Sequence, residues 1–416
     1  MRLRLENIGI IEKADVEING LTVIAGNNDS GKSTVGKIAY SLTKSFEDFE
    51  RNYEKDKTAK LNMYFREIYL LLRESVDLNK YPELNKLMVS FRFYINIDNK
   101  KLFELMKTTT KLLSDIDIDE EKKANINKRY GQVISIFQET EPKRSKIIKS
   151  IQKILNSEFS NQIINISADE GRIEVYEGEN KIINIIIKDN KPSIEEPNID
   201  YIFPFDSSVF IETPFILDYK KYLELSKGQL RSPDVYHVMD LLSKLKQHSL
   251  NKEKTKLNIS EIVNGHVYFD EENDEFFFQK NEGNKPSTFK IINTASGIKS
   301  LGILQLLENA GEFNKNLLLI IDEPEVHLHP EWQIEYAKIL IQLVENGIKV
   351  IITSHSPYFI EAVNKYSRKT KIEKNVKFYL SEVINNGKVL IVDKTDNKDE
   401  VLDKLSKPFE RLVFGD

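Results

Sequence analysis

The segment Gly26-Asn27-Asn28-Asp29-Ser30-Gly31-Lys32-Ser33-Thr34 sets glycines, a lysine and hydroxyls at the GxxxxGK[ST] spacing of a phosphate-binding loop. Gly26 and Gly31 let the backbone wrap an anion, so that its N–H groups and the N-terminus of a following helix supply positive potential. Lys32 then reaches the β- and γ-phosphates, and the Ser33 hydroxyl ligates Mg2+. Asp29 is among the few non-glycine residue types that tolerate a left-handed turn. Its negative charge beside a polyphosphate has no explanation in the sequence.

Far downstream the chain reads Leu317-Leu318-Leu319-Ile320-Ile321-Asp322-Glu323-Pro324-Glu325. The apolar run fits a buried parallel strand, and Asp322 falls at the C-terminal end, where open α/β sheets place their ligands. Asp322 is expected to hold Mg2+ through water, and Glu323 to polarise the attacking water as general base. The two halves together make an ATP site, with ATP and Mg2+ as cofactors. A second short strand, Val350 to Thr353, delivers Ser354 and His355, whose imidazole can hydrogen-bond a γ-phosphate oxygen and report hydrolysis. Asn293 to Ser300 reads as a helix N-cap, with Ser296 or Thr294 capping an apolar helix that carries Leu301, Ile303, Leu304 and Leu307. A helix N-terminus of this kind is itself a phosphate-binding element. His327 and His329 beside Glu325 have zinc-ligand types, but Pro330 and the adjacent acidic motif favour a structured turn.

These residues need elements to position them. Leu21, Val23 and Ile24 form a strand before the loop, and Val35, Ile38, Ala39 and Leu42 follow it at helical spacing. Arg2 to Ile24 alternates in short runs broken at Asn19-Gly20, as in a small antiparallel sheet. From about Ser45 to Ser160 the chain is rich in Lys, Glu and Asn. Three amphipathic helical stretches occur there, around Met63, Tyr64, Ile68, Leu71 and Leu72; around Leu102, Leu105, Met106, Leu112 and Leu113; and around Ile147, Ile148, Ile151, Ile154 and Leu155. None sustains the heptads of a long coiled coil. Arg172 to Glu177 and Lys181 to Lys188 flank a Gly-containing turn and read as a hairpin. Val209 to Ile211 is a short strand, Asp234 to Leu250 a helix, and His266 to Asp270, Glu275 to Gln279 and Thr288 to Ile292 are β-like. Val376 to Leu380 and Val389 to Val392 add two strands before a short helix from about Lys398 to Leu405.

The bulk properties exclude several classes. A net charge of -5 over 416 residues gives no basic signature for strong nonspecific DNA binding. The absence of cysteine removes disulfides, thiolate metal sites and cysteine nucleophiles. The opening residues lack a signal-peptide pattern and the longest apolar runs are too short to cross a bilayer, so a soluble cytoplasmic protein without membrane contact is expected.

The order of phosphate loop, large insertion, Ser296-Gly297 helix start, Asp-Glu-Pro-Glu-x-x-Leu-His-Pro and Thr-Ser-His-Ser-Pro resembles the ABC-like ATPases of the RecF, SMC and OLD group over about residues 1 to 44 and 200 to 395. The resemblance implies an α/β fold, an ABC-type ATPase head with mixed β-sheets flanked by helices. Residues 1–44 and 200–416 would form this head, and residues 45–199 an inserted, largely helical lobe with a small hairpin. It further implies a homodimer, or higher homo-oligomer, closed around two ATP. Each ATP would be held by Gly26 to Thr34 of one subunit and Ser296-Gly297 of the other, with Glu325 to His329 as the interface loop and His355 as the switch histidine. Ile298-Lys299 departs from the family's Gly-Gln in the signature, and Glu212 stands where the family's γ-phosphate-sensing loop usually has glutamine. ATPase partners in bacterial antiphage systems of the OLD, Septu and PARIS kind look similar. OLD proteins continue into a Toprim nuclease after the histidine; here the chain stops at Asp416, so the expected output lies in a separate effector, a nuclease or toxin. The alternative is a RecF/SMC-like repair ATPase that clamps DNA. A transporter ATPase subunit is disfavoured by the size of the insertion.

Overall fold

Alternation builds the first strands. Leu3, Leu5 and Ile8 are buried while Arg2, Arg4 and Glu6 reach solvent, giving β1 (Arg2–Ile8), and Ala14 and Val16 do the same in β2 (Ile11–Glu17). The computed structural model describes residues 1–75, 119–195, 203–218, 235–248, 257–281, 286–384 and 387–415, with a few positions between them. The amphipathic stretch around Leu102 to Leu113 lies outside the described residues.

The remaining strands of the large sheet are β3 (Leu21–Ala25), β4 (Glu170–Glu177), β5 (Asn180–Lys188), β6 (Lys191–Ile194) and β7 (Ser207–Ile211). A separate sheet holds β8 (Gly265–Asp270), β9 (Glu275–Lys280) and β10 (Ser287–Lys290). The large sheet is completed by β11 (Leu317–Ile321), β12 (Lys349–Ser354), β13 (Val376–Val383) and β14 (Val389–Asp393). The helices are α1 (Lys32–Ser75), α2 (Glu120–Gln138), α3 (Lys143–Glu158), α4 (Tyr236–Leu245), α5 (Ser296–Ala310), α6 (Pro330–Glu345), α7 (Pro357–Lys369) and α8 (Lys398–Phe414).

The large sheet has 11 strands in the order β6-β5-β4-β1-β2-β14-β13-β3-β12-β11-β7. Its β13-β3-β12-β11-β7 half is parallel throughout, whereas β6 to β2 pair antiparallel. Leu317 to Ile321 is buried on both faces, as parallel strands between helices are. One face meets α4, α5, α6 and α7 in a single apolar core that includes Leu319, Ile321, Leu304, Leu340 and Phe359. On the other face α1 lies over Ile320 and Phe210.

The chain has two compact units, Met1–Glu47 with Ile151–Asp416, and Asp48–Ser150. Within the second, Phe65, Ile68, Leu72, Ile126, Tyr130 and Val133 are buried, and Asn52 Nδ2 donates to Ser150 Oγ at 3.0 Å. Met63, on the expected apolar face, is exposed, and Phe65 takes the inward position.

Several expectations are corrected. The hairpin assigned to the inserted lobe is instead part of the large sheet, because β4 pairs along β1 from Arg2↔Tyr176 to Glu6↔Arg172. The helix after the phosphate loop runs 44 residues without a break and takes in the first amphipathic stretch around Met63 to Leu72, since no proline or glycine interrupts it after Gly36. The last helix likewise continues past Leu405 to Phe414, carrying Pro408 in its interior.

Candidate functional site

The loop after β3 is a folded cradle. Gly26 N–H donates to Ser354 O at 3.2 Å, which ties the loop to the end of β12. A Cβ at Gly26 would fall 2.7 Å from Ser381 Cβ and 2.9 Å from Ser30 Oγ, so only glycine fits. Asn27 O accepts from Ser30 Oγ at 2.6 Å and from Lys32 Nζ at 2.7 Å. Asn28 and Asp29 are exposed at the crown, where Asp29 takes the left-handed conformation with φ 57°. Thr34 N–H bonds back to Gly31 O at 3.1 Å and starts the helix.

Pairing of β11 between β7 and β12 brings the acidic pair to this cradle. Ser33 Oγ lies 2.9 and 2.8 Å from Asp322 Oδ1 and Oδ2. Thr353, which follows the apolar run Val350 to Ile352 in β12, donates from Oγ1 to Asp322 Oδ1 at 2.5 Å and accepts from Glu323 N at 3.0 Å. Glu323 adopts φ 46°, and its Oε1 stands 3.4 Å from Lys32 Nζ and 3.2 Å from His355 Nδ1. Burial pushes the Asp322 carboxyl above its usual range; hydrogen bonds from Thr353 and Ser33 oppose that, and the charges of Glu323 and Glu212 add to it. Glu212, Thr213, Ser300, Asp322, Glu323 and His327 line a cavity of about 100 Å3.

Glu325 turns its side chain into the protein. Its side chain is 2 % exposed, and Oε1 accepts from Ser354 Oγ at 2.7 Å, His355 N at 2.9 Å and Ser356 N at 3.2 Å. It thereby fixes the turn that presents His355, and burial raises its carboxyl. His327 and His329 remain exposed. His327 packs edge-on against Phe215 at 5.3 Å, and His329 Nδ1 accepts from Glu331 N at the start of α6. Among the described residues no group of three or more His, Asp or Glu is placed to hold a metal ion by itself.

The start of α5 differs from the expected cap. The N-cap residue is Ala295, and no side chain caps the helix. Thr294 Oγ1 turns back to Ile291 O, and Ser296 Oγ donates to His327 O at 3.3 Å, so neither hydroxyl is free to cap. Gly297 allows close packing, because a Cβ there would meet Trp332 Cε3 at 2.7 Å. Lys299 is buried, donating to Asp218 Oδ2 at 2.6 Å, and therefore serves the protein's own packing.

Two groups escaped the sequence reading. Thr353 was signalled only by being a buried hydroxyl at the end of an apolar strand. Glu158 and His237 gave no signal, since nothing in their local sequence places them near Glu212.

No curated protein matches the chain. Among solved structures it is similar to an SMC head domain from Thermotoga maritima, at 11% identity over 94% of this chain and 97% of that one, with a TM-score of 0.39. It is also similar to an SMC head bound to the C-winged helix domain of ScpA, at 12% identity over 96% and 98%, TM-score 0.43. A Pyrococcus furiosus Smc head with an extended coiled coil, bound to the C-terminal domain of ScpA, gives 9%, 97%, 98% and 0.44 in the same order. The family model described as AAA ATPase domain matches residues 1–360, which include the phosphate loop, the acidic strand end and His355. With the loop folded against Asp322 on a large mixed sheet flanked by helices, the chain belongs to the AAA ATPase domain family.

Proposed function

We propose that this ATPase is a head that closes as a dimer around two ATP and thereby restrains or scaffolds a separate effector in antiphage defence. The observation that carries the ATPase part is the convergence of Ser33 and Thr353 on Asp322 and of Lys32 on the adjacent Glu323. The donors fit Mg2+ and a polyphosphate: a hydroxyl and a carboxylate are hard oxygen ligands, the half-buried Asp322 carboxylate gains from a cation, and the Gly26 cradle has no room for a side chain. Mg2+-ATP supplies the transferable phosphoryl group and the charge that Lys32 answers. Asn27 to Thr34 wrap the phosphates, with Lys32 turning from Asn27 O and Glu323 toward them. Ser33 and Asp322 would hold the metal, and Thr353 keeps Asp322 and the Glu323 backbone in register. Glu323, relieved of Lys32, orients and deprotonates water, and His355 sits beside it where a γ-phosphate oxygen can be sensed.

Dimerisation is supported by α5, whose first turn has backbone N–H groups with no side-chain cap, as a helix offering them to a phosphate in a second subunit requires. The effector role follows from the resemblance to defence ATPases. Light scattering of the Glu323→Gln protein tests the closed dimer: Mg2+-ATP should double the mass, and a monomer at saturating ATP refutes closure. Co-purification of that stalled variant with a stoichiometric nuclease or toxin supports the effector role. Salt-sensitive, ATP-dependent DNA binding without a protein partner favours the repair clamp instead.

A further inference from the structure

His237 is buried at the start of α4 with a carboxylate on each side of its ring. Nδ1 lies 2.6 Å from Glu158 Oε2, and Nε2 lies 3.2 Å from Glu212 Oε2. A carboxylate only accepts, so both contacts are hydrogen bonds when both ring nitrogens carry hydrogen, which makes the ring an imidazolium. Glu158, the last residue of α3, is itself fully buried and is fixed by accepting from His237 N at 2.9 Å. Ser157 Oγ accepts from Tyr236 N at 3.1 Å, so the end of α3 satisfies the first N–H groups of α4. The ring is walled by Phe210 of β7 at 4.6 Å and by the edge of Tyr40 of α1 at 6.0 Å. The Tyr40 hydroxyl turns to Asp240, which Lys44 pairs at 2.8 Å. Glu212 has a second cation, Lys37 Nζ at 3.4 Å, one turn beyond Ser33 on α1. Glu212 lines the same cavity as Asp322 and Glu323.

Three acidic residues lining one cavity repel one another, and nothing in the local sequence after β7 would hold Glu212 there. We propose that Glu212 is a third working carboxylate of the ATP site and that His237, anchored by Glu158, is the positioning residue that aims it. Lys37 assists from the other side. In this arrangement a fixed carboxylate stands where glutamine would be neutral, and a buried cation makes that charge tolerable. The inference rests on the ATPase reading above.

The test is a double-mutant cycle on steady-state ATP hydrolysis with His237→Gln, Glu212→Gln and the pair. His237→Gln should lower kcat about 10- to 100-fold, as loss of an outer partner does, with KM for ATP little changed. In the Glu212→Gln background the same change should cost nothing further, because a neutral amide needs no cation. Equal losses in both backgrounds would mean a packing role and overturn the inference. Nitrogen NMR of the imidazole in nucleotide-free wild type gives a readout independent of activity and of variant folding: double protonation at neutral pH is expected, and a neutral tautomer overturns the proposal. Wild type that hydrolyses no ATP overturns the ATPase reading and this role with it, whereas hydrolysis undiminished by His237→Gln overturns this inference alone.

Discussion

Lys32 and Glu323 lie 3.4 Å apart yet have opposite tasks, and their variants should separate. Lys32→Ala removes the phosphate's counter-charge and should abolish nucleotide binding in a fluorescent-ATP titration. Glu323→Gln keeps the shape and should bind normally while hydrolysing far more slowly; wild-type turnover would remove Glu323 from the general-base role. Thr353 bears on both acidic residues, through Asp322 Oδ1 and Glu323 N. Thr353→Val keeps the volume but leaves that N–H unpaired, which should cost about 1–3 kcal/mol of stability. It should also lower kcat about 10- to 100-fold. Full turnover by a measurably destabilised variant would show that Thr353 only holds the fold.

At the scale of elements, α5 and α6 meet through a contact that only glycine permits. In Gly297→Ala the new methyl group would meet the Trp332 ring, and overpacking of this kind costs about 1–3 kcal/mol. Trp332 is the single tryptophan, so its emission should shift together with the fall in melting temperature; an unshifted spectrum would place the strain elsewhere. The junction of α3, α4 and β7 adds a pH dependence. Burial opposes the His237 charge, but Glu158 and Glu212 outweigh it and raise the group from 6.5 to about 8. Since the folded value is the higher one, this stabilisation is complete below 6.5 and is lost as pH rises through about 8. The His237 hydrogen bond lowers Glu212 from 4.5 to about 2, so its contribution is present above 4.5 and lost as pH falls through about 2. Melting temperatures should therefore fall between pH 6.5 and pH 8 more steeply in wild type than in His237→Gln, and parallel curves would contradict the linkage.

For the whole molecule, the composite-site proposal makes one sharp demand. Ser296 opens α5 with its hydroxyl on His327 O, at the helix end proposed to meet the other subunit's ATP. Ser296→Arg should leave ATP binding by the monomer intact and block the ATP-driven increase in mass; a variant that still dimerises would refute the shared site. A net charge of -5 makes a nonspecific, charge-driven hold on DNA weak, so any DNA clamp would depend on a local basic face. No helix among the described residues is long and apolar enough to cross a membrane.

Local sequence determined the parts whose physics is local. The loop motif named Lys32 and Ser33, the buried strand named Asp322 and Glu323, and alternation or helical spacing placed β1, β4, β5, β13 and most of α5, because backbone turns and apolar periodicity act over a few residues. Two kinds of feature escaped that logic. Sheet order is set by long-range pairing, so only the fold could take the hairpin of β4 and β5 to β1, and only β7-β11-β12 pairing could carry Thr353 to Asp322. Side-chain direction is set by neighbours distant in the chain: Glu325 turned inward to hold the His355 turn, Lys299 was taken by Asp218, and His237 found Glu158 and Glu212. A buried charge must find its partner wherever packing brings one, and that choice belongs to tertiary structure.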